Sequence, residues 1–183
     1  LQLCMMTAQI ANGGFAVKPK IIVDNNPISY EDAKQSMESG LLFDTDSEEL
    51  IDKKLFKNQR NIKIVQEAMF ASTNERFGTS YKSRIDDPKY QFAGKTGTAQ
   101  VKRITEEERE LDLKLEQIPY KERDHAWYIA FGPYKNPRYA LTVLIEHGGS
   151  GSSAAAPIAK KLFKKIIDRH EEREKIRTND KLI

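Results

Sequence analysis

Apolar side chains recur at the spacing of an α-helix in two stretches of the first half of the chain. The first, residues 1–12, carries Leu3, Met6 and Ile10 and runs into Asn12-Gly13-Gly14, a sequence that ends helices. The second, residues 58–74, stops before Gly78. Its predicted inward face holds four apolar side chains: Ile62, Val65, Met69 and Phe70. A short strand is predicted at 15–23, and the polar residues 24–57 predict irregular structure with one or two short helices.

Runs rich in β-forming residues dominate the second half and predict three strands followed by a helix. A strand is predicted at 90–101, and AWYIAF at 126–131 places Trp127, Ile129 and Phe131 on one side. YALTVLIE at 139–146 predicts its hairpin partner, because the connection GPYKNPR is rich in turn residues. The last helix is predicted at 158–170, with an inward stripe of four residues: Ile158, Leu162, Ile166 and Arg169.

The segment 103–124, RITEEERELDLKLEQIPYKERD, is highly charged and predicts a solvated, mobile loop or an exposed short helix. The whole order is therefore helix, strand, helix, three strands and helix. Three antiparallel strands packed under a C-terminal helix make an α+β fold.

Composition narrows the class of protein. The chain has 183 residues, enough for one domain, and 39% hydrophobic with 31% charged residues is a soluble, globular balance. The net charge of +3 is too small and too mixed to indicate nucleic-acid binding. Neither a signal peptide nor a long apolar run is visible, and no Cys/His cluster has the spacing of a zinc site. The start at Leu1 rather than methionine predicts a piece of a longer protein.

The stretch FAGKTGTAQ, residues 92–100, admits two chemical interpretations. A phosphate-binding loop needs a glycine five residues before Gly94, where Lys89 stands, and should open a helix rather than lie in a strand. Serine acyl transfer instead needs a strand edge with a lysine, hydroxyls, a glycine without side chain and a backbone N–H aimed at an oxyanion. Residues Lys95, Thr96, Gly97 and Thr98 supply these groups in order, although the tripeptide alone is more typical of an ordinary edge strand.

The surrounding sequence favours the acyl-transfer interpretation. TAQIANGGFAVKPKII, FGTSYKSRIDDPKYQFAGKTGTAQ, DHAWYIAFGP and EHGGSGSSAAAPIAKKLF follow one another in an order that resembles the penicillin-binding protein transpeptidases, most of all the class called penicillin-binding protein 2. The resemblance covers most of the chain apart from the variable polar segments 24–57 and 103–124. It implies that residues 1–175 are the C-terminal portion of a serine β-lactamase/transpeptidase-like α+β domain, in which an antiparallel sheet packs against helices. Residues 176–183 are expected to form a frayed tail.

The resemblance also implies roles for the motif. Lys95 is expected to give electrostatic support beside a nucleophilic serine. The hydroxyls of Thr96 and Thr98 are expected to receive the carboxylate of a D-Ala-D-Ala stem peptide or of a penicillin. Gly97 allows close approach of the ligand, and the Thr98 N–H is expected to be one of two oxyanion donors. Neither a metal nor an organic cofactor is implied.

Two motifs of the family are missing from these 183 residues. No Ser-x-x-Lys occurs, so the nucleophile and its basic partner are not supplied by this chain, which alone is predicted to be inactive. Ser72-Thr73-Asn74 matches Ser-x-Asn, but it lies at a predicted helix end close to Lys95, whereas the family's second motif lies far upstream. It is therefore interpreted as a helix end with local side-chain bonds. Ser152, Ser153, His125 and His147 are likewise interpreted as structural.

The resemblance predicts part of a bacterial peptidoglycan D,D-transpeptidase that serves cell-wall synthesis and cell shape. The parent is expected to work at the periplasmic face of the inner membrane, with its anchor outside this chain. Expected partners are peptidoglycan stem peptides, β-lactams and other cell-wall synthesis proteins, without nucleic acid. Two alternatives stay open: a non-catalytic binding or scaffold module, and a β-lactamase or β-lactam-sensor domain.

Overall fold

The computed structural model describes residues 1–17, 19, 54–103, 105–106, 110–111 and 113–180. These residues form three helices and three strands, which are α1 (Gln2–Ala11), α2 (Gln59–Asn74), β1 (Ala93–Ala99), β2 (His125–Gly132), β3 (Tyr139–Ile145) and α3 (Ala156–Asp180). The predictions for 24–53 and for most of the strand at 15–23 lie outside the described residues. Phe15 itself forms only an isolated antiparallel bridge with Lys54.

The three strands form one antiparallel sheet in the order β1-β2-β3, which confirms the predicted hairpin and the α+β class. Within the hairpin, Gly132 pairs with Tyr139 beside the turn. On the other side of β2, Gly94 pairs with Ala130 and Thr96 with Tyr128. Because β1 has a strand partner on one side only in the described sheet, it lies at the edge.

Helices cover both faces of the sheet. Successive side chains of β2 point to opposite sides, so each face has its own set of packed residues. The first face carries Ala126, Tyr128 and Ala130 and packs against α3, where Phe163 stacks on Phe92 at a ring distance of 4.8 Å. The second face packs against α1 and α2 through an apolar cluster of three fully buried and several half-buried residues, including Ala93, Phe131, Met69 and Ile10. Removing these side chains from water is the main stabilisation of the sheet.

The inward stripe of α3 differs from the prediction. Ala159, Phe163 and Ile167 are buried, whereas Ile158 and Leu162 are 37% and 40% exposed. The inward side is set by Ala155, Ala156 and Ala159, whose small side chains let the helix approach the sheet closely but give only a weak hydrophobic signal in the sequence. The helix also continues to Asp180, ten residues beyond the predicted end, because its charged continuation is rich in helix-forming Glu, Lys and Arg and holds no Gly or Pro.

The prediction for α2 is correct in its bounds and in most of its inward face. Asn58 caps its N-terminus by accepting a hydrogen bond from the Arg60 N–H at 2.9 Å. Ile62 and Met69 are buried as predicted, but Val65 is 41% exposed and Thr73 is buried instead. Thr73 takes part in a hydrogen-bonded network, which the hydrophobic pattern does not report.

Two single-turn 3₁₀ helices, Leu115–Gln117 and Tyr120–Glu122, lie in the charged segment before β2. Its described residues are exposed or half-buried, and the predicted mobility stays a prediction. Among the helices described, none combines the length and the apolar character needed to cross a membrane.

Candidate active site

The motif residues lie in the middle of β1. Residues Ala93 to Ala99 are continuous strand paired with β2, so Gly94-Lys95-Thr96 neither forms a loop nor opens a helix. This excludes the phosphate-loop interpretation, which needs successive backbone N–H groups curled around an anion. Lys95 and Thr98 are exposed, while Thr96 and Gly97 are half-buried.

Successive side chains of a strand point to opposite faces, yet the Lys95 ammonium reaches the carbonyl oxygen and the hydroxyl of Thr96. The Lys95 ammonium curls over the strand and donates to the Thr96 carbonyl oxygen at 2.9 Å and to the Thr96 hydroxyl at 3.4 Å. A positive charge and a hydroxyl therefore stand together at the edge of the sheet. This combination suits an anionic ligand that lies along the strand rather than on one of its faces.

Gly97 is pressed between its strand partner and the beginning of the last helix. A Cβ built on Gly97 would lie 3.2 Å from the Trp127 Cβ. From the other side Gly151, at the start of the turn Gly151–Ala155 that leads into α3, packs on the backbone of the same pair. A Cβ on Gly151 would come within 2.6 Å of the Gly97 carbonyl oxygen and 2.3 Å of the Trp127 carbonyl oxygen. The close packing of Gly151 on the Gly97 backbone therefore restrains the residue before Thr98.

A buried hydroxyl network fixes the other end of β1. The Tyr128 hydroxyl lies 2.9 Å from the Thr73 Oγ1 and 3.1 Å from the Ser80 Oγ. It also passes directly over Gly94, where an added Cβ would lie 2.3 Å from the phenolic oxygen. Burial raises the pKa of Tyr128, while its hydrogen bonds with Ser80 and Thr73 act in the opposite direction. The network ties α2 to β1 immediately before Lys95.

A second, solvent-facing row of hydroxyls reaches the motif from the turn after α2. The Thr79 Oγ1 lies 3.1 Å from the Thr96 Oγ1, and the Ser72 Oγ lies 3.3 Å from the Thr79 Oγ1. Sequence reasoning assigned no role to Thr79, because its contact crosses from a turn to a strand 17 residues away. The one local signal is Gly78, which marks a turn at that point.

Ser72-Thr73-Asn74 forms the last turn of α2, as the sequence predicts, with additional bonds to the sheet. Thr73 and Asn74 each donate to the carbonyl four residues earlier, at 3.3 Å and 2.9 Å. The Asn74 amide also donates to the Phe92 carbonyl oxygen at 2.9 Å. These bonds connect the helix end to the residue before β1 and give Thr73 and Asn74 structural roles.

The remaining serines and histidines are engaged locally. Ser152 and Ser153 bond to Ser150, the capping residue of their own turn. The His125 Nδ1 accepts from the His147 N–H at 2.9 Å, so neither ring is aimed at a serine in the bonds described. Around them, and throughout the described part of the chain, no group of three or more His, Cys, Asp or Glu is placed to hold a metal ion.

A groove of about 1070 Å³ lies along α3, beside Lys82, Ser83 and Ile85, and contains none of the motif residues. Its lining includes several basic side chains of that helix, among them Lys160, Lys161, Lys164 and Lys165. The chemistry of the motif is therefore to be sought at the β1 edge and not in this groove.

Comparison with known proteins identifies the family of the chain. The model of the penicillin binding protein transpeptidase domain matches residues 1–164. The chain belongs to this family. It is 39% identical over 105 residues to the peptidoglycan D,D-transpeptidase MrdA of Salmonella typhimurium, a match that covers 57% of the chain and 16% of that protein. It is 33% identical over 148 residues to MrdA of Haemophilus influenzae, covering 78% of the chain and 21% of that protein.

A solved structure gives the same result for the fold. The crystal structure of Pseudomonas aeruginosa PBP2 in complex with WCK 5153 aligns with a TM-score of 0.61 and 28% identity, covering 90% of this chain and 29% of that one. The predicted likeness to penicillin-binding protein 2 is thus confirmed. The matches span only 16% and 21% of the lengths of these two curated relatives.

Proposed function

We propose that the full-length gene product is a peptidoglycan D,D-transpeptidase that binds β-lactams, and that this chain supplies the Lys-Thr-Gly wall of its active site. The observation that carries the proposal is the exposed β1 edge, where Lys95 and Thr96 present an ammonium and a hydroxyl together. The family match and the names of the MrdA relatives support the same reaction.

The proposed reaction is acyl transfer through a serine. A serine outside this chain attacks the carbonyl of the penultimate D-alanine, D-alanine leaves, and an amine of a neighbouring stem peptide takes over the acyl group. Lys95 provides positive potential near the nucleophile. The hydroxyls of Thr96 and Thr98 receive the terminal carboxylate, and the Thr98 N–H stabilises the developing oxyanion.

The backbone contacts around β1 support the proposed role of Thr98. An oxyanion donor contributes only if it is held in place before the reaction, so that no reorganisation is needed in the transition state. Gly151 presses on the Gly97 backbone, and the Tyr128 hydroxyl packs over Gly94. The strand is therefore restrained on both sides of the residues proposed to contact the substrate.

The family supports a proposal for the location and the partners of the gene product. We place the gene product at the periplasmic face of a bacterial inner membrane, where stem peptides ending in D-Ala-D-Ala are cross-linked. Other cell-wall synthesis proteins are its proposed partners. No cofactor is required, because the chemistry needs only a serine, its basic partner and oxyanion donors.

The test is covalent labelling by a fluorescent penicillin, followed by intact mass. The full-length gene product is expected to gain one stable drug-sized adduct and to release D-alanine from a stem-peptide substrate. The 183-residue chain, which holds no Ser-x-x-Lys, is expected to gain none. Complete absence of an adduct on the full-length product would favour a scaffold module. Acylation followed by rapid hydrolysis of the drug would favour a β-lactamase.

A further inference from the structure

We propose that Thr79 is a positioning residue for the carboxylate of the acyl donor, acting through the hydroxyl of Thr96. The inference rests on the proposed function, because it assigns the orientation of a hydroxyl that this function uses. Thr79 does not belong to the Lys-Thr-Gly motif and reaches it from the turn that follows α2.

The turn that carries Thr79 is held rigidly. The Ser80 N–H and the Ser80 hydroxyl both donate to the Ser72 carbonyl oxygen at 3.0 Å, and the Gly78 N–H donates to the Glu75 carbonyl oxygen at 2.8 Å. Gly78 packs on the backbone of α2 so closely that a Cβ there would lie 2.3 Å from the Ser72 carbonyl oxygen. The position of the Thr79 side chain is therefore set by the end of the helix.

The number of hydrogen bonds that the Thr96 hydroxyl can accept determines which atoms donate to it in the row formed by Ser72, Thr79 and Thr96. A hydroxyl has one proton to donate and two lone pairs that accept. The Lys95 ammonium can donate hydrogen bonds but cannot accept them, so the Thr96 Oγ1 is the acceptor in their contact at 3.4 Å. If Thr79 donates the second hydrogen bond, at 3.1 Å, both lone pairs of Thr96 are occupied. The Thr96 proton is then left to point outward, which is what a bound carboxylate requires.

Exposure distinguishes this row from the buried network beside it. Thr73, Ser80 and Tyr128 are almost fully shielded from water, and their hydroxyls connect the helix to the sheet. Thr79 is exposed, and Thr96 and Ser72 are half-buried, so water competes for their hydrogen bonds. Bonds of this kind contribute little to the stability of the fold. These hydrogen bonds instead determine the direction of the Thr96 hydroxyl proton when a ligand binds.

The test compares Thr79→Val with Thr79→Ser in the full-length gene product. Valine keeps the shape and removes the hydroxyl, whereas serine keeps the hydroxyl. The second-order rate constant for acylation is measured with benzylpenicillin and with its methyl ester, in which the carboxylate charge is absent. Thr142→Val in β3 is the matched control, because it makes the same chemical change at a half-buried site outside the row.

Thr79→Val is expected to lower acylation by benzylpenicillin about 3- to 10-fold, the range that loss of one hydrogen bond gives, with little effect on the ester. Thr79→Ser and Thr142→Val are expected to stay within about twofold of the parent, as changes that keep the row intact should. An equal loss for both drugs, no loss at all, or no recovery with serine would each overturn the proposal. If the ester reacts too slowly to measure, the proposal is tested by comparing the benzylpenicillin acylation rates of Thr79→Val and Thr79→Ser. A parent that is not acylated would instead refute the proposed function.

Discussion

Replacing Gly151 by alanine tests the contact between the start of α3 and the β1–β2 ladder. The added methyl group would lie 2.3 Å from the Trp127 carbonyl oxygen, 2.6 Å from the Gly97 carbonyl oxygen and 3.0 Å from the Gly97 nitrogen. All three atoms belong to backbone, so no side-chain rotation relieves the overlap. Either the turn at 151–155 or the strand pair must move.

Overpacking of this kind typically costs about 1–3 kcal/mol of unfolding free energy. With a urea dependence of about 2 kcal/mol per molar for a small protein, the unfolding midpoint should fall by roughly 0.5–1.5 M. Trp127 is the single tryptophan of the chain and pairs with Gly97, so its fluorescence reports the transition at the place that is changed.

The matched control is Ser153→Ala, an exposed position in the same turn, which should change the unfolding free energy by less than about 0.5 kcal/mol. If Gly151→Ala unfolds at the urea concentration of the unsubstituted chain, the helix start does not press on the strand pair. The restraint on the backbone before Thr98 would then be refuted.

Tyr128→Phe should cost about 1–3 kcal/mol in the same urea assay, because the two buried hydrogen bonds to Thr73 and Ser80 are lost; an unchanged midpoint would show that the network carries no stability. Burial raises the pKa of Tyr128, so the folded state holds the phenolic proton more tightly than the unfolded chain does. Stability should therefore fall as the pH rises above about 10, and the phenylalanine variant should lose part of that fall. Amide exchange should be faster in 103–118 than in 126–146, where strand hydrogen bonds protect the backbone, and strong protection of 103–118 would contradict the loop interpretation.

The strands and the hairpin could be predicted because their signals are local. Alternation in β2 and the turn residues between β2 and β3 determine the pairing without help from distant parts of the chain. The face of α3 could not be predicted in the same way. Its sequence carries apolar residues on two overlapping stripes, and the choice between them depends on the close approach of Ala155, Ala156 and Ala159 to the sheet.

The motif in β1 was found from its residues and their order, but its surroundings were not. Gly151 stands more than fifty positions after Gly97, and nothing in its own sequence context reveals which backbone it touches. Thr79 and Tyr128 are also brought to β1 only by folding. Residues that contact a site only through the tertiary fold leave no local signal in the sequence, whereas the contiguous motif Lys95-Thr96-Gly97 can be recognised directly.

The acylation rate of Lys95→Ala in the full-length gene product tests the central claim most directly. Removing the ammonium from the β1 edge is expected to lower β-lactam acylation roughly 10²- to 10³-fold, as loss of a comparable transition-state contact does. Because the Lys95 side chain is exposed, the melting temperature should stay unchanged. Thr98→Ala keeps the backbone N–H and should lose less. A Lys95→Ala variant that acylates at the parental rate with unchanged stability would show that FAGKTGTAQ is an ordinary edge strand.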